Sequence, residues 1–366
     1  MLVRAALALV VVSVMGACGS DDSNGGGAGG SGGIGGAATG GSAGSFGGAT
    51  GGVAGSAATG GTDAGADADA DASVDTDYQT FQDILSGKVG AQAGLVAIAQ
   101  SDGLPIATPN GFVFVRIDDG KGPYRLTGDH EGWVGADMTH EAGVYWLEVN
   151  VPSPDGSKYK FIDPVNQFAA DPLSRRYGYD NFGEFSLVRS TANHLERWPE
   201  IGGTGIPPRT VRARVPAASP THHLYVHDGQ NLFDPNAAYG GWKLDESLGP
   251  NTLAIGIDNA GTLRMDEYTH VSDDIGSGPV GGKGDAYSDY VLNVVRPFIE
   301  KKFSAPSKVG VMGSSLGGLI SFHEALRNPG SWDFAASLSG TFGWGSIGNA
   351  VHNETLIERF ATAQKL

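Results

Sequence analysis

The chain has 366 residues, room for two or three domains, and a formal net charge of −16 from 24 Lys and Arg against 40 Asp and Glu. That balance argues against nucleic acid as a partner and against electrostatic attachment to a membrane. The single cysteine, Cys18, leaves no intrachain disulfide to staple a fold, so any globular part depends on its hydrophobic core.

Residues 1–17 read as an export signal. Arg4 supplies the positive start, and Leu7 to Val14 is apolar but too short to span a bilayer as a stable helix. Met15-Gly16-Ala17-Cys18 resembles a bacterial lipobox. That resemblance implies cleavage before Cys18 and lipidation of its thiol and new amine. The alternative is an ordinary signal peptide with Cys18 incidental. The expectation is an exported protein, lipid-anchored to the bacterial cell envelope, that meets the membrane through this anchor only.

Residues 18–76 are Gly, Ala, Ser, Thr and Asp with almost no large apolar side chain. Such a segment cannot bury enough surface to offset its ordering entropy and reads as a disordered tether. Asp67, Asp69 and Asp71 imitate the start of a calcium loop. Ala72 and Tyr78 stand where the loop needs Gly and Glu, so the run reads as an acidic spacer.

Order is expected from Asp77, with a short helix over Tyr78 to Leu85. Then come short β-like runs separated by polar turns: 111–117, 124–127, 144–151, 159–162 and 184–188. They predict a small all-β sandwich over residues 77–195. Gly128-Asp129-His130-Glu131-Gly132-Trp133, Lys158 to Asp163 and Ala170-Asp171-Pro172 resemble the early-set, immunoglobulin-like modules found ahead of some bacterial esterases. Some of those modules bind glucans through exposed aromatics, which would make Trp133, Trp146 and Tyr159 candidates. Packing is the competing role of each.

Leu195 to Ile206, with Trp198-Pro199, reads as a connector. Beyond it, residues 205–366 alternate apolar strands (210–215, 223–226, 253–257, 309–312, 334–338) with helical patterns, including one over 287–303. This predicts an α/β fold with a parallel sheet covered on both faces, on the α/β-hydrolase plan.

Gly313-Ser314-Ser315-Leu316-Gly317 lies between one of those strands and a helix. It is G-x-S-x-G with the context of a nucleophile elbow. Two further copies, around Ser31 and Ser42, lie in the Gly-rich tract and have no such context. Ser315 is the candidate nucleophile. Leu316, the residue after it, would offer one oxyanion N–H. Gln230 or a neighbour, in His227-Asp228-Gly229-Gln230 at another strand end, would offer the second.

Four spaced motifs now agree: Tyr225 to Asp234, Ile255 to Asn259, Arg264 to Thr269 and Gly313 to Gly318. Together they resemble the esterase family of α/β hydrolases that includes enterochelin-esterase-like and feruloyl-esterase-like enzymes, S-formylglutathione hydrolase and the mycolyltransferases. The resemblance implies a serine-dependent carboxylic ester hydrolase working through an acyl-enzyme, with a Ser–acid–His triad in that chain order. Its partner would be an ester substrate, carbohydrate- or siderophore-linked esters included, and no cofactor is implied. His227, Trp242, Arg264, Tyr268 and Trp344 are candidate pocket residues. No His/Cys/Asp cluster has metal-ligand spacing, and Gly281 to Gly284 lacks the Ser or Thr of a P-loop.

The acid and histidine are expected after the next two strands, yet the sequence ends at Leu366 within a helical pattern. His323 lies too far down the elbow helix to serve, and His352 has no recognisable orienting carboxylate. The expectation is a hydrolase whose sheet is incomplete. The alternatives are a catalytically inactive, lipid-anchored carbohydrate- or partner-binding protein, and an acyltransferase built on the same elbow.

Overall fold

The computed structural model describes residues 10–12, 67–238, 241–276, 278–348 and 352–362, with main chain only at 10–12 and 67–75. Cys18, most of the expected export signal and residues 18–66 of the expected tether lie outside the described residues. No described helix is long and apolar enough to cross a membrane.

The first helix is longer than expected. It runs Asp67–Leu85 and takes in the acidic spacer that reads as tether. Alternating Ala favours helix, and Asp near a helix start is stabilised by the macrodipole. Phe81 and Ile84 then anchor it against Leu95 and Ile98 of a second helix, Ala91–Gln100.

Both helices cover one face of a four-stranded sheet made of Ile106–Thr108, Gly111–Ile117, Val144–Val149 and Thr139–Glu141, in that spatial order. Strand periodicity divides its second strand cleanly. Val113 and Val115 meet the helices. Phe112 and Phe114 meet Tyr124, Leu126, Tyr159 and Phe161 of a second sheet. The expected β-rich region is therefore two sheets face to face, with helices on the outside of one.

The second sheet does not stop at the boundary expected near residue 195. Arg176–Asp180 pairs with His194–Gly203, which pairs in turn with Ile206–Val215. The stretch read as a connector is thus a strand, and one 13-stranded sheet runs through both regions. Trp198-Pro199 reads as a breaker, but the register shift between Trp198 and Ile201 absorbs it as a bulge.

The α/β part orders its strands Phe334–Leu338, Lys308–Ser314, His222–His227, Thr252–Ile257, Ile206–Val215, His194–Gly203. The first four are mutually parallel. On one face, Tyr225, Ile255 and Val311 pack under the elbow helix Leu316–Arg327 and a longer helix. That longer helix joins Gly284–Tyr290, a π turn Val291–Val295 and Arg296–Phe303. Pro297 lacks an N–H for the ladder, and the π turn sits just ahead of it. On the opposite face, Leu224, Val226 and Ala254 pack with Leu232, Phe233 and Tyr177. Val10–Val12 lies parallel beside Phe334–Leu338, with Val10 opposite Ala336.

Candidate active site

Lys308–Ser314 ends in a turn at Ser315, which adopts φ 57° and ψ −121° and caps the elbow helix. A side-chain-bearing residue with positive φ costs on the order of 1–3 kcal/mol and persists only where its surroundings fix it. Here Ser315 N–H donates to Leu338 O (2.9 Å). Ser315 O accepts from Gly318, Leu319 and Thr341 N–H (3.0, 3.1 and 3.3 Å). The tightness explains the first glycine of the motif: a Cβ on Gly313 would lie 2.4 Å from the Gly317 carbonyl carbon. The strain lifts the Ser315 side chain into an exposed position, where Oγ lies 3.3 Å from Thr341 Oγ1.

Leu316 opens the helix, so its N–H has no intrahelical carbonyl to bond. The turn after His222–His227 faces the elbow from the next strand. A Cβ on Gly317 would lie 3.3 Å from Asp228 Oδ2 and 3.4 Å from His227 Cβ. Asp228 itself has φ 61° and is clamped hard. Arg264 Nε and Nη2 donate to its two oxygens at 2.7 and 2.8 Å, and Asn259 Nδ2 adds a third bond at 2.7 Å. Gln230 Oε1 accepts from Asn259 N–H (3.1 Å). The side chain of Gln230 is therefore structural, and only its backbone N–H remains as the oxyanion candidate.

Below the turn, His227 has no exposed surface, so of its two expected roles, pocket contact or packing, it takes the packing one. Its Nδ1 lies 3.0 Å from Tyr287 Oη. Burial lowers its pKa to about 3, so the ring is neutral. Its Nε2 has no hydrogen-bond partner and faces Glu324 Oε1 of the elbow helix at 3.9 Å. Neither oxygen of Glu324 has a partner, and burial drives that carboxyl well above its usual range.

Two further pocket candidates are also core residues. Tyr268 is fully buried, and its hydroxyl accepts from Asp228 N–H (3.1 Å). Trp344 is 3 % exposed and donates its indole N–H to Val271 O (2.8 Å). Trp242 packs with the cluster on the opposite sheet face. The aromatic candidates thus divide between two faces and do not converge. Arg264 alone remains half-buried beside the site, held on Asp228. Of the sandwich aromatics, Tyr159 is buried and bonded to Asp171, and Trp146 packs on Phe81.

Among the described residues no histidine is hydrogen-bonded to Ser315. His323 lies between Asp285 (2.8 Å) and Arg359 (3.1 Å), and burial lowers its pKa to about 4. His270 bonds to Glu354 O, and His352 to Ser346 Oγ. A carboxylate does accompany His352, namely Glu358 at 3.3 Å. The sequence patterns do not single out Thr341 or Glu324. Thr341 had a signal, since it follows a parallel strand at its carboxyl end, where α/β sheets form their ligand crevices. A cleft of about 320 Å³ lined by Tyr179, Phe185, His194, Arg214 and Lys243 is on another part of the surface and does not include Ser315.

Residues 207–361, within the α/β part of the chain, match the Esterase family model, described as "Putative esterase". Two curated relatives align with it. The Uncharacterized protein YbbA of Bacillus subtilis is 30% identical over 141 residues, 36% of this chain and 55% of that protein. The siderophore triacetylfusarinine C esterase of Aspergillus fumigatus is 28% identical over 134 residues, 34% and 45% of the two chains. The chain spans about half the length of these relatives. Among solved structures, the ferric enterobactin esterase of Salmonella typhimurium covers 64% of this chain and 72% of its own at 13% identity, with a TM-score of 0.32. The BES protein of Bacillus cereus covers 46% and 70% at 18% identity, with a TM-score of 0.35.

Proposed function

We propose that this protein is a carboxylic ester hydrolase of the enterochelin-esterase-like type, with Ser315 as nucleophile. The observation that carries the reading is the strained, exposed elbow: a serine at φ 57° between a parallel strand and a helix start, with a clamped turn beside it. In the proposed reaction Ser315 Oγ bonds to the ester carbonyl carbon while its proton passes to solvent water. The tetrahedral oxyanion accepts from the N–H groups of Leu316 and Gln230. Collapse breaks the C–O bond to the alcohol, which leaves with a proton. Water then hydrolyses the acyl-serine to the acid and restores the hydroxyl. A siderophore-linked ester as substrate is supported by the name of the Aspergillus relative. We further propose export and lipid anchoring through Cys18, which radiolabelled palmitate incorporation lost in C18A would test.

The proton acceptor is not supplied by any described histidine, and this favours a second reading: a binding protein that keeps the elbow without turnover. Fluorophosphonate labelling and hydrolysis of p-nitrophenyl butyrate separate the two. Labelling and turnover that both vanish in S315A support the esterase. Absence of both in the wild-type chain leaves only the binding protein.

A further inference from the structure

The strand Lys158–Ile162 turns Tyr159 and Phe161 into the core between the two sheets. Alternation therefore sends Lys158 and Lys160 to the outer face. There they line a groove of about 620 Å³ that no step of the Ser315 chemistry uses. Its floor includes Phe185, whose ring lies 3.9 Å beneath Lys158 Nζ. Its walls are Trp133, Phe168 and Phe182. Phe168 is 51 % exposed and Phe182 is 87 % exposed. Large rings gathered in the open at one place mark a surface that takes a ligand. The volume falls within the roughly 300–1,000 Å³ of small-molecule sites.

The polar groups say what kind of ligand. Trp133 Nε1 donates to Asp129 Oδ1, and Asp129 Oδ2 accepts from Lys158 N–H, both at 2.8 Å. Lys158 Nζ pairs with Asp180 at 2.8 Å. These groups satisfy one another and fix the wall. Lys160 is different. It is 5 % exposed, its ammonium donates to the Phe182 carbonyl at 2.8 Å, and no carboxylate of the described residues lies within ion-pair range. An ammonium carries three donors, so two stay open within the groove, where Asp180 acts on the charge only through space.

We propose that this groove binds a planar aromatic carboxylic acid, its ring between Trp133, Phe168 and Phe182 and its carboxylate on Lys160 Nζ. Aromatic walls favour an aromatic occupant because edge and offset ring contacts add to plain burial. The lysine selects the acid because a charge-assisted bond to a carboxylate is about twice as strong as a neutral one. The site stands apart from Ser315, so it holds whether or not the chain hydrolyses esters.

Calorimetric titration of the full chain with 2-naphthoate tests it, beside 2-naphthol, decanoate and maltohexaose. The expected result is saturable one-to-one binding of 2-naphthoate, weakened about tenfold or more in K160M. It should also weaken several-fold in F182A, which changes an exposed turn and leaves the melting transition in place. Should K160M fail to fold, K160R, which keeps the charge, should bind 2-naphthoate while F182A still weakens it. Equal affinity for 2-naphthol overturns the role of Lys160. Equal affinity for decanoate overturns the aromatic preference. Binding of maltohexaose without 2-naphthoate, or of none of the four, overturns the site.

Discussion

His227 Nε2 and Glu324 Oε1 face each other across 3.9 Å with no exposed surface on either side chain. One belongs to the strand end that carries the turn proposed to bind the oxyanion, the other to the elbow helix, so this gap lies where those two elements meet. The groups that surround it are Tyr287 on Nδ1, Tyr268 tilted against the ring at 5.4 Å between centroids, and Asp228 held by Arg264. None of them supplies a charge directly to Glu324. Burial alone raises its pKa, so the folded protein keeps a proton that the unfolded chain releases above roughly pH 4.5.

The sign of the pH effect follows. A carboxyl whose folded pKa is raised costs stability as pH climbs from its unfolded value towards its folded one. The slope approaches about 1.4 kcal/mol per pH unit while the folded state holds the extra proton. E324Q removes that slope and keeps a hydrogen-bond donor facing His227. Urea unfolding at pH 5 and pH 8 should show E324Q gaining on the wild type as pH rises. A difference that stays the same at pH 5 and pH 8 would mean that Glu324 is already ionised in the folded protein.

The chemistry at Ser315 predicts a second pH signature. The histidine nearest the oxyanion turn, His227, is buried and titrates at about 3, and His323 at about 4. Neither can supply an inflection near neutrality. Elbow and oxyanion donors without a general base retain roughly 10³–10⁴-fold acceleration over water. Ser315-dependent hydrolysis of p-nitrophenyl acetate should therefore rise steadily with pH through 6 to 9. A plateau above pH 7 would show a histidine reaching Oγ.

The elbow was legible because its cause is local: strand, glycine turn and helix occupy adjacent residues. The alternation of strands and helices from residue 205 was legible for the same reason. Burial across elements was not. Tyr268 and Trp344 read as pocket aromatics because nothing near them in sequence reveals that Asp228 N–H and Val271 O take up their polar ends. Trp198-Pro199 read as a break because a bulge is set by the partner strand, Ile206–Val215. Glu324 sits on a helix whose every side chain from Leu316 to Ala325 is buried, a fact the helical spacing does not carry.

Arg264 ties the oxyanion turn to the short helix Arg264–Glu267 through two bonds to Asp228. Its side chain is 26 % exposed but that of Asp228 is 7 %, so truncation strands a mostly buried carboxylate and should also lower stability. In the proposed mechanism the turn it clamps holds an oxyanion donor, and displacements near 1 Å can cost about 10²-fold. R264A is expected to lower kcat of any Ser315-dependent hydrolysis on the order of 10- to 100-fold with KM nearly unchanged, beside a lower melting temperature from the stranded Asp228 carboxylate. A loss confined to KM would assign Arg264 to substrate binding.

One turn further along that helix, Glu267 forms a different kind of pair. Arg209 Nη1 and Nη2 meet its two oxygens at 2.7 and 2.8 Å, with both side chains 2 % exposed. Taking two charges from water is repaid only while both remain, so removal of one partner strands the other. E267A should destabilise the fold by about 3–5 kcal/mol. The double variant R209M/E267L, which removes both charges and keeps volume, should recover most of the loss. Guanidinium unfolding of the two variants beside the wild type measures it. A double variant no more stable than E267A would mean that the pair's hydrogen-bond geometry, rather than the stranded guanidinium, sets the cost.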